Sequence, residues 1–211
     1  MPLPGKSRYV MDARPAPRAG VSLFCARGEL PSSWVRIVLA EKDVDGARIE
    51  QLTPGKPHQD LLVLNPSGEL PTLVDRDTVL YPAPVVAEYL DERYPHPTLL
   101  PADPAARARV RMVLLRFDRE LFPAAAVIRA APKSPDAKAA RKQLQDALTG
   151  SARLFPARGW CLGLDYNLAD CAWAALFGAL PALGLKLPAD PALARYAERL
   201  LSRAAVQSAL R

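Results

Sequence analysis

The sequence has few residues that bind metals or form disulfides, with three cysteines and two histidines among 211 residues. Cys25, Cys161 and Cys171 are odd in number and match no paired-cysteine metal or redox spacing. His58 and His96 have no neighbouring ligands in the sequence. We therefore expect no metal site and no disulfide framework. This cysteine usage is typical of a reducing, cytoplasmic setting.

Long hydrophobic runs are also absent. The longest apolar run, from Cys171 to Leu185, is interrupted by Pro181. It is shorter than the ~20 residues that span a bilayer, so it predicts a buried core helix and no membrane association. We recognise no secretory segment, which favours the same cytoplasmic setting.

The net charge of +6 lacks the pattern of a nucleic-acid-binding protein. No basic run is interleaved with aromatic residues, and no known DNA- or RNA-binding motif is present. We therefore expect no direct sequence-specific binding of nucleic acid. The positive charge does permit attraction to nucleic acid in general or to an acidic protein face.

Composition and hydrophobic periodicity divide the chain into four parts. Residues 1–20 are rich in Pro, Gly and Arg, which predicts a flexible basic leader. Residues 21–98 have strand and helix patterns in the order βαβαββα, which predicts a thioredoxin-like α/β domain. Residues 99–106 are interpreted as a linker, and residues 107–211 predict an all-helical domain.

Capping residues and apolar stripes predict the boundaries and faces of the helices. Ser134 predicts a helix start, and Asn167 with Asp170 forms a variant of the capping box. The last helix is predicted over about Pro191–Arg203. One stripe of the first helix in the all-helical domain is predicted to be buried: Val110, Leu114, Phe117 and Leu121.

Several side chains of the α/β part have structural interpretations. Cys25 is interpreted as a small residue at the end of the first strand. Asp91 and Glu92 are interpreted as solvent-exposed charges on the polar side of a helix. Core or interface packing is predicted for the tryptophans, which are Trp34, Trp160 and Trp173.

Four segments, NPSGELPTLVDRDTVLY, VVAEYLDERYP, LLPADPAARARVR and NLADCAWA, resemble the glutathione S-transferase superfamily. The resemblance covers residues 21–211. It implies a thioredoxin-like domain followed by an all-helical domain, with Leu70-Pro71 at the superfamily's cis-proline position. It also implies a two-fold dimer to which Arg111 and Met112 contribute.

Within the superfamily, VRIVLAEKDV, PTLVDRDTVLY and EYLDERYPHPTLLP are most similar to the stringent starvation protein A family. Its members are RNA polymerase-associated regulators with a Pro-His-Pro surface loop. The resemblance implies that Pro95, His96 and Pro97 bind a sigma-containing surface of RNA polymerase in a stress or starvation response. The two prolines predict an extended, preorganised backbone, although composition alone also suits a stiff connector. Arg107 and Arg111 could steer an acidic partner.

Glutathione chemistry needs a group that favours the thiolate and groups that hold the tripeptide. The superfamily position of the activating Ser or Cys falls at about Glu29, where a carboxylate opposes ionisation of the thiol. The acid-Ser pair that holds the γ-glutamyl carboxylate is replaced here, and Pro84 has no N–H to donate. We interpret four residues as a vestigial tripeptide site: Leu70, Pro71, Pro82 and Ala83.

Two functions remain open at this point. The first is a homodimeric, non-enzymatic regulator with no catalytic residues and no cofactor. The second is a glutathione-dependent transferase or a maleylacetoacetate isomerase-like enzyme, supported by the overall similarity and by the linker LLPADPAARAR, which enzymes share. Ser32 and Ser33 are alternative hydroxyl donors for such an enzyme, and they are equally well interpreted as helix caps.

Overall fold

In the computed structural model, a four-stranded sheet forms the centre of the N-terminal part. The model describes residues 20–44, 46–53, 56, 58–155 and 158–211, so the predicted leader lies outside the described residues except for Gly20. The strands have the order β2-β1-β3-β4, with β1 parallel to β2 and the other pairs antiparallel. Their bounds are β1 Val21–Ala26, β2 Arg48–Leu52, β3 Thr72–Asp75 and β4 Thr78–Leu80.

Three helices complete this part and confirm the predicted βαβαββα order: α1 Leu30–Glu41, α2 Gln59–Leu64 and α3 Ala83–Arg93. Alternate residues of β1 face opposite sides of the sheet. Leu23 and Cys25 belong to the large core with α1 and α3, whereas Phe24 packs with Leu61 of α2. The Leu70–Pro71 peptide bond is cis, as the resemblance implied.

The C-terminal part is helical, as predicted. Its first helix begins at Pro104, three residues ahead of the expected boundary, because Asp103 caps it by accepting a 2.7 Å hydrogen bond from Ala106 N. The predicted apolar stripe is buried throughout. None of the described helices is long and apolar enough to cross a membrane. The elements are α4 Pro104–Arg116, a π-helical turn Phe117–Leu121, α5 Phe122–Ala130, α6 Pro135–Ser151, α7 Leu168–Leu183, α8 Pro191–Leu201 and α9 Ala204–Leu210.

The predicted caps of α6 and α7 are confirmed. Ser134 Oγ accepts a 3.0 Å hydrogen bond from Ala137 N at the start of α6. At the start of α7, Asn167 Oδ1 accepts from Ala169 N, and Asp170 Oδ2 accepts from Asn167 N, both at 2.9 Å. Burial raises the pKa of Asp170 to about 6.

The tryptophans pack as predicted. Trp34 and Trp173 are almost fully buried in the core. Trp160 is half-buried, and the guanidinium of Arg199 lies 4.3 Å from its ring centroid.

The prediction of a single last helix over Pro191–Arg203 is wrong. The helix ends at Leu201, and Arg203 takes an extended conformation that begins α9. The Arg203 guanidinium donates two 2.7 Å hydrogen bonds to the Glu41 carboxylate at the end of α1. Because its partner lies 162 residues away in sequence, this contact leaves no local pattern in the chain.

The interpretation of Asp91 as a solvent-exposed charge is also wrong, whereas Glu92 is exposed. Asp91 is only 7% exposed and forms an ion pair with Lys42, whose side chain is 0% exposed. The Asp91 carboxylate also accepts hydrogen bonds from Leu99 N at 2.7 Å and Leu100 N at 3.0 Å. Asp91 therefore fixes the chain where it leaves the α/β part.

A short chain of hydrogen bonds continues from this point into the helical part. Leu168 N donates a 2.9 Å hydrogen bond to Leu99 O, and Trp34 Nε1 donates a 3.2 Å hydrogen bond to Leu168 O. The segment after α3 is thus tied to α1 and to the start of α7.

We expect Asp91→Ala to lower the free energy of unfolding by about 3–5 kcal/mol, because it leaves Lys42 buried without its anionic partner. The adjacent Glu92→Ala is the matched control. Its effect should stay within about 0.5 kcal/mol, since Glu92 is exposed. Urea denaturation followed by circular dichroism measures both changes, and equal effects of the two substitutions would contradict the burial argument.

Candidate functional site

The Pro-His-Pro loop, residues 95–97, follows α3 and has all three residues exposed. Its backbone bends at His96 and Pro97, and the His96–Pro97 peptide bond is cis. The extended backbone predicted from the sequence is therefore wrong. The bend brings the carbonyl oxygens of Tyr94 and Pro97 to the same buried side chain, that of Lys42.

Lys42 lies beneath this loop, one residue beyond α1. Its Nζ donates a 2.8 Å hydrogen bond to Tyr94 O and a 2.5 Å hydrogen bond to Pro97 O, in addition to the ion pair with Asp91. One ammonium group therefore contacts the chain on both sides of His96. The tip of the loop is exposed, and the buried ammonium group of Lys42 binds its backbone.

The tip of the loop exposes two pyrrolidine rings and one imidazole. Thr98 Oγ1 donates a 3.1 Å hydrogen bond to Pro95 O, which closes the turn. Across the part of the chain that the structure describes, no hydrogen bond or ion pair engages the His96 ring. The tip can therefore offer apolar contact and a hydrogen-bonding imidazole to a partner.

The two arginines that were expected to steer a partner both make contacts within the chain. Arg107 Nε donates a 2.8 Å hydrogen bond to Pro101 O. Arg111 forms two hydrogen bonds, of 3.0 and 2.7 Å, with the carboxylate of Glu88 on α3. The Arg111 charge is thus neutralised locally, and the steering role of both residues stays a prediction.

Exposed apolar side chains lie on either side of the Glu88–Arg111 pair. Met112, 71% exposed, and Leu115 lie on α4, while Tyr81 and Val85 lie at the start of α3. The ion pair links α4 to α3 through one contact at the surface. The exposed apolar side chains are of the kind enriched where proteins associate.

A cleft of about 730 Å³ lies between the α/β part and the π-turn and α5 of the helical part. Its walls are mainly apolar, and its charged lining residues are Glu29, Lys56, Asp118 and Arg129. Its volume is in the range of small-molecule sites. Because the volume permits a small molecule, the side chains that line the cleft decide whether a glutathione-dependent reaction is possible.

Glu29 lines the cleft, at the superfamily position of the residue that activates the thiol. It precedes α1 as the N-cap residue, but its side chain accepts no capping hydrogen bond from a backbone N–H of the helix. Burial raises the pKa of Glu29, and a hydrogen bond from Ser32 and the charge of Arg129 partly offset this. In its ionised form, the Glu29 carboxylate opposes ionisation of a nearby thiol.

The interpretation of Ser32 and Ser33 as helix caps is wrong. Ser32 lies inside α1, where its Oγ accepts a 3.1 Å hydrogen bond from Ala26 N and donates a 3.4 Å hydrogen bond to Glu29 Oε2. Both serines are buried, and neither lines the cleft. Neither hydroxyl is therefore placed to activate a thiol there.

The four residues of the interpreted tripeptide site are not all brought to the cleft. Leu70 lines it, whereas Pro71, Pro82 and Ala83 do not. Pro82 is the N-cap residue of α3 and makes no side-chain cap, and Ala83 is 2% exposed. The start of α3 thus has neither a hydroxyl nor, at Pro84, an N–H with which to hold a carboxylate.

Cys25 occupies the buried end of β1, as interpreted from the sequence. Burial raises the pKa of its thiol above the usual value. The thiol form is therefore favoured, which disfavours a nucleophilic role.

Sequence reasoning missed two residues of these sites, Lys42 and Arg129. Lys42 binds backbone carbonyl groups, which leave no mark in a sequence. Arg129 lies over Gly28, which has a positive φ of 78° and no side chain to obstruct the guanidinium. A glycine between Arg27 and Glu29 was the available signal for this close approach.

Comparison with known proteins identifies the family to which the chain is similar. The family model of the glutathione S-transferase N-terminal domain matches residues 30–98. Five bacterial proteins named stringent starvation protein A homologue are 35–38% identical over 80–92% of this chain. The homologue from Coxiella burnetii is 38% identical and is matched over 85% of both chains.

Enzymes of the superfamily are also similar to this chain. The maleylacetoacetate isomerase of Pseudomonas aeruginosa is 32% identical over 83% of this chain and 88% of its own length. Among solved structures, the bacterial glutathione S-transferase BphK has a TM-score of 0.80 at 25% identity, covering 90% of this chain and 98% of its own. The predicted thioredoxin-like domain with a helical C-terminal domain is thereby confirmed.

We expect calorimetric titration with millimolar glutathione to give no saturable heat, because the start of α3 lacks the groups that hold the γ-glutamyl carboxylate. The variant Ala83→Ser/Pro84→Ala restores a hydroxyl and an N–H and should bind glutathione more tightly than the parent chain. Saturable binding by the parent chain, accompanied by thiol transfer, would contradict the site assignment.

Proposed function

Because the chain belongs to the stringent starvation protein A family, we propose that it is a regulator that binds RNA polymerase holoenzyme at a sigma-containing surface. The contact residues are Pro95, His96 and Pro97. The observation that carries the proposal is the exposed loop whose flanking carbonyl groups are held by buried Lys42.

The physical properties of the loop suit docking to a large protein. Its three contact residues are exposed, and its backbone is held by Lys42 and Asp91, so little conformational freedom is lost on binding. The net charge of +6 favours association with an acidic surface. The loop thus supplies the specific contact, and the overall charge supports the encounter.

The regulator acts as a homodimer and without an enzymatic reaction. The surface around the Glu88–Arg111 pair, with Met112 exposed on α4, is the dimer face. The absence of a hydroxyl at Ala83 supports a role without glutathione chemistry. A polymerase partner places the protein in the cytoplasm, where it serves a stress or starvation response.

A glutathione-dependent enzyme is the second candidate. The observations that favour it are the cleft of about 730 Å³ beside Leu70 and the similarity to maleylacetoacetate isomerase. Glu29 and Ala83 weigh against it. The glutathione titration described above separates the two candidates, because only the enzyme needs to hold the tripeptide.

We expect His96→Ala/Pro97→Ala to weaken binding to sigma-containing RNA polymerase holoenzyme at least tenfold, as for residues at the centre of an interface. The change removes the imidazole and one rigid ring at an exposed position, so the fold should persist. Titration of labelled protein with purified holoenzyme, followed by fluorescence anisotropy, measures the affinity.

The matched control is His58→Ala, which changes the other histidine. His58 lines the cleft and caps α2 through its Nδ1. This variant should bind polymerase as the parent chain does. Equal affinity of the His96→Ala/Pro97→Ala variant and the parent chain would remove the loop from the mechanism.

We expect Met112→Glu to convert the homodimer into a monomer at micromolar concentration, because it places a charge on the apolar dimer face. Leu164→Glu is the control, since Leu164 is 81% exposed in a loop outside α3 and α4. Sedimentation velocity gives the masses. A Met112→Glu variant that stays dimeric would assign the interface to another surface.

A further inference from the structure

The Pro-His-Pro loop has few backbone N–H groups with which to form hydrogen bonds inside the loop. Pro95 and Pro97 have no N–H, so the backbone donors of residues 95–98 are those of His96 and Thr98. The carbonyl groups of this segment must therefore find donors elsewhere or remain in water. Lys42 supplies that donor for Tyr94 O and Pro97 O.

We infer that Lys42 and Asp91 are positioning residues for polymerase binding. They fix the backbone on both sides of His96 before the partner arrives, and they contact nothing outside the chain. This inference rests on the proposed function, since it assigns the affinity of the loop partly to residues buried beneath it.

The two charges bind different backbone groups around the loop. Lys42 Nζ holds the carbonyl groups that precede and end the exposed tip. Asp91 holds the amides of Leu99 and Leu100, which follow the tip. The ion pair joins both sets of contacts. We call Lys42 and Asp91 together the clamp, and the tip lies between the backbone groups that the clamp binds.

Lysine is suited to this position for a chemical reason. Its ammonium has three N–H donors and no acceptor, so one group can serve two carbonyl oxygens and one carboxylate together. A buried charge is tolerated only when it is paired and fully hydrogen-bonded. The loop carbonyls and Asp91 meet that requirement, which couples burial of Lys42 to the observed conformation of the loop.

Because the Lys42 side chain is 0% exposed, it cannot touch a partner. Any effect on binding must act through the order of the loop. A preorganised loop loses less freedom on docking, so releasing it should weaken binding by about tenfold. Release of the loop should also reduce the contribution of His96 to the binding affinity, because a mobile imidazole ring spends less time in the position that contacts the partner.

The test uses a variant that removes the clamp without leaving a buried charge unpaired. Lys42→Met/Asp91→Asn keeps the length of the first side chain, and it keeps an acceptor for the amide of Leu99. Glu41→Gln is the control, because it weakens the neighbouring pair with Arg203 and does not contact the loop. Thermal unfolding of both full-length variants shows whether they are folded at the assay temperature.

The affinity for sigma-containing RNA polymerase holoenzyme is measured with His96 and with His96→Ala in each background. We expect Lys42→Met/Asp91→Asn to bind about tenfold more weakly and Glu41→Gln to bind as the parent chain. The loss from His96→Ala should fall from at least tenfold in the parent chain to less than about threefold in the unclamped variant.

Hydrogen exchange gives a readout that does not need the polymerase. The amide of Leu100, which loses its carboxylate acceptor, should exchange at least tenfold faster in Lys42→Met/Asp91→Asn than in Glu41→Gln. Unchanged exchange would overturn the inference, because the loop would then be ordered without its clamp.

The binding outcomes separate this inference from the proposed function. If His96→Ala weakens binding in the parent chain but the unclamped variant binds normally, the positioning role is wrong and the docking role stands. The same holds if the two effects simply multiply. If His96→Ala has no effect in the parent chain, both the docking role and the positioning role fail.

Discussion

The buried ion pair between Lys42 and Asp91 is the interaction on which the rest of the structure depends. It joins the end of α1 to the end of α3, where the chain leaves the α/β part. Lys42 binds the backbone at Tyr94, before the Pro-His-Pro loop, and Asp91 binds it at Leu99, after the loop. Through Leu99 and Leu168, this contact continues into the helical part. One pair of charges therefore sets both the junction of the two parts and the shape of the exposed loop.

The cleft differs from the loop in how its polar groups are used. It has the volume of a small-molecule site, and Leu70, which precedes the cis-proline, lines it. Glu29 brings a carboxyl group, the Ser32 hydroxyl is taken up by backbone and carboxylate contacts, and α3 begins with Ala83. The described lining of the cleft includes no serine, tyrosine or cysteine, whereas the Pro-His-Pro loop is exposed and bound by Lys42. This contrast supports the proposed docking role of the loop.

The sequence patterns predicted the fold well because they are local. Strand periodicity, the caps Ser134 and Asn167, and the proline-rich boundaries each depend on a few neighbouring residues. Two of the errors have the same physical cause, which is contact between residues that are distant in sequence. The role of Asp91 depends on Lys42, and the break before α9 accompanies the contact of Arg203 with Glu41. The exposed loop was visible as a motif, but the clamp beneath it was not, because the carbonyl oxygens that it binds are common to every residue.

We propose that the Pro-His-Pro tip lies against RNA polymerase in the complex. Photo-crosslinking from position 98 probes this contact, because Thr98 is exposed beside the tip and its replacement leaves His96 in place. A photoreactive residue at Lys138, exposed on α6, serves as the control. We expect a covalent adduct with a subunit of sigma-containing holoenzyme from position 98 and none from position 138. An adduct from position 138 alone, or equal yields from both positions, would contradict it.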